Sequence, residues 1–199
     1  MIGCGPYTKE ALVSTVEIKG VEDLKGIKIR SPEGLAADVF RLAGASPVSI
    51  PFSEVYTSLD KGIVDAADAS AFVNNEASGM HKGAKFPIYP GIHSMAVLQF
   101  IMNKDVWDGL TEGQRTILEV WYNAAYVTML RQADLQDRDL VAEHKAKGDL
   151  TIVDWSKEDR QKFREIAVEA WESAAEKSPL AREALDAHLS YMKRIGLLD

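Results

Sequence analysis

The 199 residues include one cysteine, Cys4, so no intrachain disulfide can form; it stands near the terminus and is assigned no chemical role. Histidine is scarce as well. The four, His81, His93, His144 and His188, show no i, i+4 pairing, and no His/Cys cluster has the spacing of a zinc site. No run approaches the ~20 consecutive apolar residues that a bilayer span needs. The opening "MIGCGPYTKEALV" lacks the charged-then-apolar layout of a secretory signal. Basic residues are not in excess: the net charge is -7, with bases interleaved among acids, which argues against a phosphate backbone and so against nucleic acid as a partner. A G-x-S-x-G elbow and a P-loop are absent, and "GCGPYT" has neither the preceding strand nor the third glycine of a dinucleotide fingerprint. No internal repeat, low-complexity segment or linker breaks the chain.

What is present is ample apolar content, 46%, enough to bury a core. Residues 1–22 read as irregular or extended, with "LVSTVEI" as a possible short strand. "GIKIR" (26–30) alternates Ile27 and Ile29 against Lys28 and Arg30 and predicts a strand. "LAADVFRLAG" (35–44) sets Leu35, Val39 and Leu42 at helical spacing and stops at Gly44. "SPVSIPF" predicts a second strand, Ser53 an N-cap for a helix carrying Val55 and Leu59 up to Gly62, and "IVDAADA" a third strand. This order predicts parallel pairing with right-handed crossovers, the α/β class.

Residues 74–92 are less regular. "HSMAVLQFIMN" (93–103) is apolar enough to predict a central strand covered on both faces. Thr111 and Gln114 form a capping box before a helical stretch that runs to Lys147 and Gly148; Ile117, Trp121, Ala125 and Met129 form its apolar face. Its last third, "DLQDRDLVAEHKAK", reads as mostly solvated, and His144 and His188 as exposed. A helix of ~35 residues spans ~50 Å, longer than one small domain is wide, so it is expected to bridge two bodies. "LTIVDW" (150–155) predicts another strand, Ser156 caps a helix carrying Phe163, Ile166, Ala170 and Trp171, and Ser178-Pro179 starts a final helix ending at Gly196.

Candidates for chemistry gather at strand ends, where α/β folds bind ligands. Arg30 ends the first predicted strand, Phe52 follows the second, Asp68 ends the third and His93 opens the fourth. An arginine there can grip a carboxylate through two parallel charge-assisted hydrogen bonds; the alternative is a surface salt bridge worth ~0–1 kcal/mol. Asp65 and Asp68, with His93, could instead serve as acid/base groups of an enzyme, or as a solvated strand end.

"DLKGIKIR", "GASPVSIPFSEVYTSLDKGIVDA" and "NKDVWDGLTEGQRTILE" together resemble the solute-binding subunits of tripartite ATP-independent periplasmic (TRAP) transporters, the DctP-type family, from about Val21 to the last helix. "GMHKGAKFPIYPGIHS" is similar to the branch that binds keto and hydroxy acids. The resemblance implies a periplasmic-binding-protein-like α/β lobe with a short mixed sheet flanked by helices, plus a long bridging helix and C-terminal helices. Residues 1–110 are then the second, ligand-binding lobe, and 111–199 the helices that would pack on a first lobe. It implies a binding protein rather than an enzyme, located in the periplasm and delivering a small organic carboxylate, a 2-oxo or hydroxy acid or a dicarboxylate, to membrane permease subunits. The family's carboxylate-binding arginine falls on Arg30, and its cleft aromatic on Phe52, for which core packing is the rival. In the keto-acid branch a glutamate and a tryptophan help hold a metal and the substrate; Asp68 and Ala69 stand there, so a bridging metal ion is not expected. The family's first lobe would precede residue 1; a truncated chain with an unpartnered apolar patch is expected to form a homo-oligomer, or to persist as a non-binding remnant.

Overall fold

A computed structural model describes residues 1–92 and 95–198. His93 lies outside the described residues. The chain opens with two strands, β1 (Gly3–Lys9) and β2 (Ala11–Ser14), so the first residues are ordered into sheet rather than irregular. Strands β3 (Lys28–Arg30), β4 (Ser46–Val48) and β5 (Ala66–Ser70) are separated by α1 (Leu35–Leu42) and α2 (Val55–Asp60). The sheet order is β2-β5-β3-β4, with β3 parallel to both β4 and β5, as the alternation of elements predicts, and β2 antiparallel to β5. Ile88 bridges Leu12 on one side and Val153 on the other. "LTIVDW" thus contributes one bridging residue and not a full strand.

Helices cover both faces of this sheet, and strand alternation sorts the core accordingly. Leu12, Ile29 and Ala66 face a cluster with Phe40, Trp155 and Phe163, where the Phe40 and Phe163 rings lie 5.7 Å apart. Val13 and Ala67 face a second cluster with Val55, Leu59 and Met80. In α1 the buried residues are Ala37, Val39 and Phe40, whereas Leu35 and Leu42 are exposed, a face rotated from the expected one because Phe40 is what meets Phe163. Ser53 makes no cap; it sits within a 3-10 turn, Phe52–Glu54, that precedes α2.

Helix α3 (Phe72–Ala77) and a 3-10 turn (Met80–Lys82) occupy the stretch that reads as irregular. β6 (Met95–Phe100) is not a central strand: among the described residues it pairs only with β1, antiparallel, in a separate two-stranded sheet, and Val97 is 60% exposed. A short α4 (Lys104–Asp108) leads into α5 (Glu112–Lys147), 36 residues opened by the expected capping box and closed by left-handed Gly148. Thr111 N–H donates to Gln114 Oε1 at 2.9 Å, and Gln114 N–H to Thr111 Oγ1 at 3.3 Å. Ser156 and Ser178 cap α6 (Lys157–Ala175) and α7 (Pro179–Arg194) as expected.

In the long helix the last third is mostly exposed, as expected, apart from one stripe, and of the expected apolar face Ala125 and Met129 are half-buried while the residues nearer its start are not. Ile117, Val120 and Trp121 in its first third are exposed, while Ala133, Asp137, Val141 and His144 form the buried stripe. Their spacing of four, four and three residues is helical, but two of the four side chains are polar, which is why the segment reads as solvated. Between these halves Tyr122 and Tyr126 lie over β1; a Cβ at Gly3 or Gly5 would stand 2.3 or 2.4 Å from their ring atoms. A side chain at either position would require the ring to shift.

Candidate functional site

The parallel strands β3, β4 and β5 end on one side of the sheet, and Arg30 ties the three ends together. As the last residue of β3, Arg30 donates from Nε to the Ile50 carbonyl, two residues past β4, at 2.9 Å. Its Nη1 donates to the Asp68 carbonyl of β5 at 2.5 Å. These two acceptors fix the plane of the guanidinium but carry no formal charge. Among the described residues Arg30 has no ion-pair partner, so the salt-bridge reading finds no acid to support it.

The register pairs Arg30 with Ala67. Residues paired across parallel strands share a face and side chains alternate along a strand, so Arg30, Ala67 and Ala69 share one face of the sheet and Asp68 lies on the other. Asp68 is 3% exposed. Ala69 packs beside Val55 and Leu59, and Phe52, on the turn after Ile50, is 44% exposed. The structure thus gathers Arg30, Phe52 and Ala69 at one rim, with Asp68 reaching it through its carbonyl. Asp65 does not join them. It precedes β5 at the far end, where its Oδ2 accepts the Lys28 N–H at 2.9 Å and pins the start of β3.

A cavity of about 530 Å³ opens elsewhere, between Thr8 and Lys9, Tyr89 and Pro90, and Asp134 and Arg138 of α5; Arg30 does not line it. Asp137 borders the same cavity and is 2% exposed. Its carboxylate accepts the backbone N–H groups of Val73 at 2.7 Å and Phe72 at 3.4 Å, capping α3 from a different helix. Burial pushes its pKa above the ordinary carboxylate value, against the opposing effect of those two donors.

A second polar cluster lies where α3 meets the end of α5. His81 Nδ1 stands 2.9 Å from Glu76 Oε2, and His144 Nε2 stands 3.6 Å from the same oxygen. His144 Nδ1 stands 2.8 Å from Asp149 Oδ1. His144 is buried, not exposed as its sequence context suggests, and the His81 side chain is 2% exposed. Burial lowers the His81 pKa, with Glu76 pulling the other way; the hydrogen bond from His144 lowers that of Asp149. One potential ligand atom from each of Glu76, His81 and His144 lies within 4.8 Å of the other two, the one such group among the described residues. Sequence spacing misses it because His144 is 63 positions from His81; the only local signal is the acid and histidine flanking the Gly79 turn.

The model of the DctP family, bacterial extracellular solute-binding protein family 7, matches residues 8–178. The chain is 31% identical over 180 residues to the monocarboxylate 2-oxoacid-binding periplasmic protein of Nostoc sp., covering 90% of this chain and 49% of that protein. It is 34% identical over 148 residues to the 2,3-diketo-L-gulonate-binding periplasmic protein of Escherichia coli, covering 73% of this chain and 40% of that one. Among solved structures, a TRAP periplasmic solute-binding protein of Rhodobacter sphaeroides in an apo open form is 45% identical; the match has a TM-score of 0.79 and covers 98% of this chain and 62% of that one. The ectoine-binding protein of Halomonas elongata shares the fold at 24% identity, a TM-score of 0.82, and coverage of 93% of this chain and 61% of that one. The chain thus spans about half the length of the curated relatives it matches. By its sequence over residues 8–178 and by its fold, this chain belongs to the DctP family of bacterial extracellular solute-binding proteins.

Proposed function

We propose that this chain supplies one wall of the ligand cleft of a TRAP-type receptor for a small organic acid, with Arg30 as the carboxylate clamp. The observation that carries this reading is a half-buried guanidinium held in a fixed plane by two uncharged carbonyls, with no ion pair to it among the described residues. A cation so placed is poorly hydrated and favours an anion that accepts two parallel N–H bonds. Phe52, on the turn that follows Ile50, is exposed and offers an apolar edge to the carbon skeleton of the guest, and the small Ala69 side chain is partly buried on the Arg30 face of its strand.

The named cargoes of the Nostoc and Escherichia relatives, monocarboxylate 2-oxoacids and 2,3-diketo-L-gulonate, are carboxylates with neighbouring keto groups, and we assign this chain to that chemical class. The protein performs no covalent step in this reading. It works in the periplasm, where differential affinity of the ligand for a closed arrangement of two lobes converts capture into a form that permease subunits recognise. Among the described residues no helix is long and apolar enough to cross a membrane.

Calorimetry of the whole chain with pyruvate, lactate, longer 2-oxo acids and dicarboxylates tests the reading. Binding of at least one of these acids that disappears in Arg30→Ala is expected. Binding that Arg30→Ala leaves intact removes the clamp, and turnover of any of them removes the receptor.

A further inference from the structure

Away from the Arg30 rim, the Glu76, His81 and His144 cluster has the composition and dimensions of a transition-metal centre. We propose that these three residues form a zinc site that fastens the last turn of α5 to the α/β unit.

The three come from separate elements, α3, the Met80–Lys82 turn and the end of α5, so their meeting is a product of the tertiary fold. Zinc bonds of ~2.0–2.2 Å in a tetrahedron hold neighbouring ligand atoms ~3.3 Å apart. The separations of 2.9 and 3.6 Å from Glu76 Oε2 to the two imidazole nitrogens straddle that value. Two imidazoles and one carboxylate suit zinc, whereas magnesium and calcium favour oxygen alone.

The surroundings orient the ligands. Asp149 Oδ1, 2.8 Å from His144 Nδ1, holds the proton on that nitrogen and leaves the Nε2 lone pair directed at Glu76, the carboxylate–histidine arrangement common behind metal ligands. His81 faces Glu76 with Nδ1, and its buried Nε2 has no hydrogen-bond partner among the described residues, so the proton is free to sit on Nε2 and leave the Nδ1 lone pair for a metal. Two buried imidazoles therefore share one half-exposed carboxylate, more polar capacity than hydrogen bonding within the cluster uses. Of the charged groups facing His81, Lys85 is positive and Glu76, at 2.9 Å, is negative; Asp149 faces His144 instead. The Glu76 side chain is 37% exposed, giving an entry path and room for water as a fourth ligand.

The test uses the whole chain, stripped of metal with a chelator and then dialysed against Zn²⁺ alone. One zinc per chain is expected, with the unfolding temperature raised by roughly 5 to 10 °C at a hundredfold excess over Kd. Glu76→Gln keeps the size and an acceptor for His81 while removing the anionic ligand, and should weaken zinc at least about tenfold with unchanged circular dichroism. Asp149→Asn, an exposed positioning change, should weaken it roughly 10- to 100-fold, whereas His188→Gln should not. Failure of the wild-type chain to retain zinc overturns the proposal, as does retention with equal affinity in Glu76→Gln and Asp149→Asn.

Discussion

The Val73 backbone N–H donates to Oδ1 of Asp137 across 2.7 Å, joining residues 64 positions apart and making a side chain of the long helix the N-terminal cap of α3. Removing the acceptor leaves that N–H, and the buried Phe72 N–H beside it, without a partner. Asp137→Ala should cost about 1–3 kcal/mol in urea unfolding, and Asp137→Asn, which retains an acceptor oxygen, clearly less. Equal losses in the two variants would contradict the capping role.

The same residue gives stability a pH dependence of definite sign. Burial raises the folded-state pKa of Asp137 above its ordinary value of 3.8. The native state therefore binds more protons than the unfolded state between those two values. Its contribution is most favourable below the unfolded pKa and falls as pH rises through the folded one. Urea titrations from pH 3.5 upward should show Asp137→Asn gaining on the wild type across that window, and a difference that stays flat would refute the assignment.

Arg30 is oriented by two carbonyls that an ammonium cannot reach together, so charge and geometry are separable there. Arg30→Lys should weaken carboxylate binding by roughly 2 kcal/mol or more, as for a buried charged pair, although the positive charge remains. Isothermal calorimetry against the tightest acid of the panel measures this; an affinity within twofold of wild type would mean that charge alone suffices.

Gly91 and Gly5 both lack space for a methyl group, but what blocks them differs. A Cβ at Gly91 would lie 1.8 Å from the Glu10 carbonyl oxygen, which is main chain, whereas one at Gly5 would meet the ring of Tyr126, which can turn aside. Gly91→Ala should cost about 3 kcal/mol and Gly5→Ala nearer 1 kcal/mol in thermal unfolding. The reverse order would contradict the packing described.

Trp155 Nε1–H donates to the buried Ile18 carbonyl at 2.8 Å, holding the segment before β3 against the start of α6. Trp155→Phe keeps most of the apolar ring and strands that carbonyl. A loss of about 1–3 kcal/mol is expected, and a neutral result would show that the carbonyl finds another donor.

Local signals decided much of this protein from the sequence alone. The α/β alternation, the Thr111–Gln114 box, the Ser156 and Ser178 caps and the left-handed Gly44, Gly62, Gly148 and Gly196 are set by interactions within a few residues, and each appears in the fold. The strand-end location of Arg30 is also local, as its residue type follows directly from a short alternating run. Which neighbours a segment meets is a different matter. "MAVLQFI" is apolar on paper, yet it becomes an outer strand because its partner is β1 at the far end of the sequence. The second half of α5 carries charges and is mostly exposed, yet one polar stripe of it is buried, because Asp137 and His144 find their partners on α3 and on the residue after Gly148. A polar side chain is solvated or buried according to whether the folded chain brings it a hydrogen-bonding partner, and only the tertiary structure decided that here.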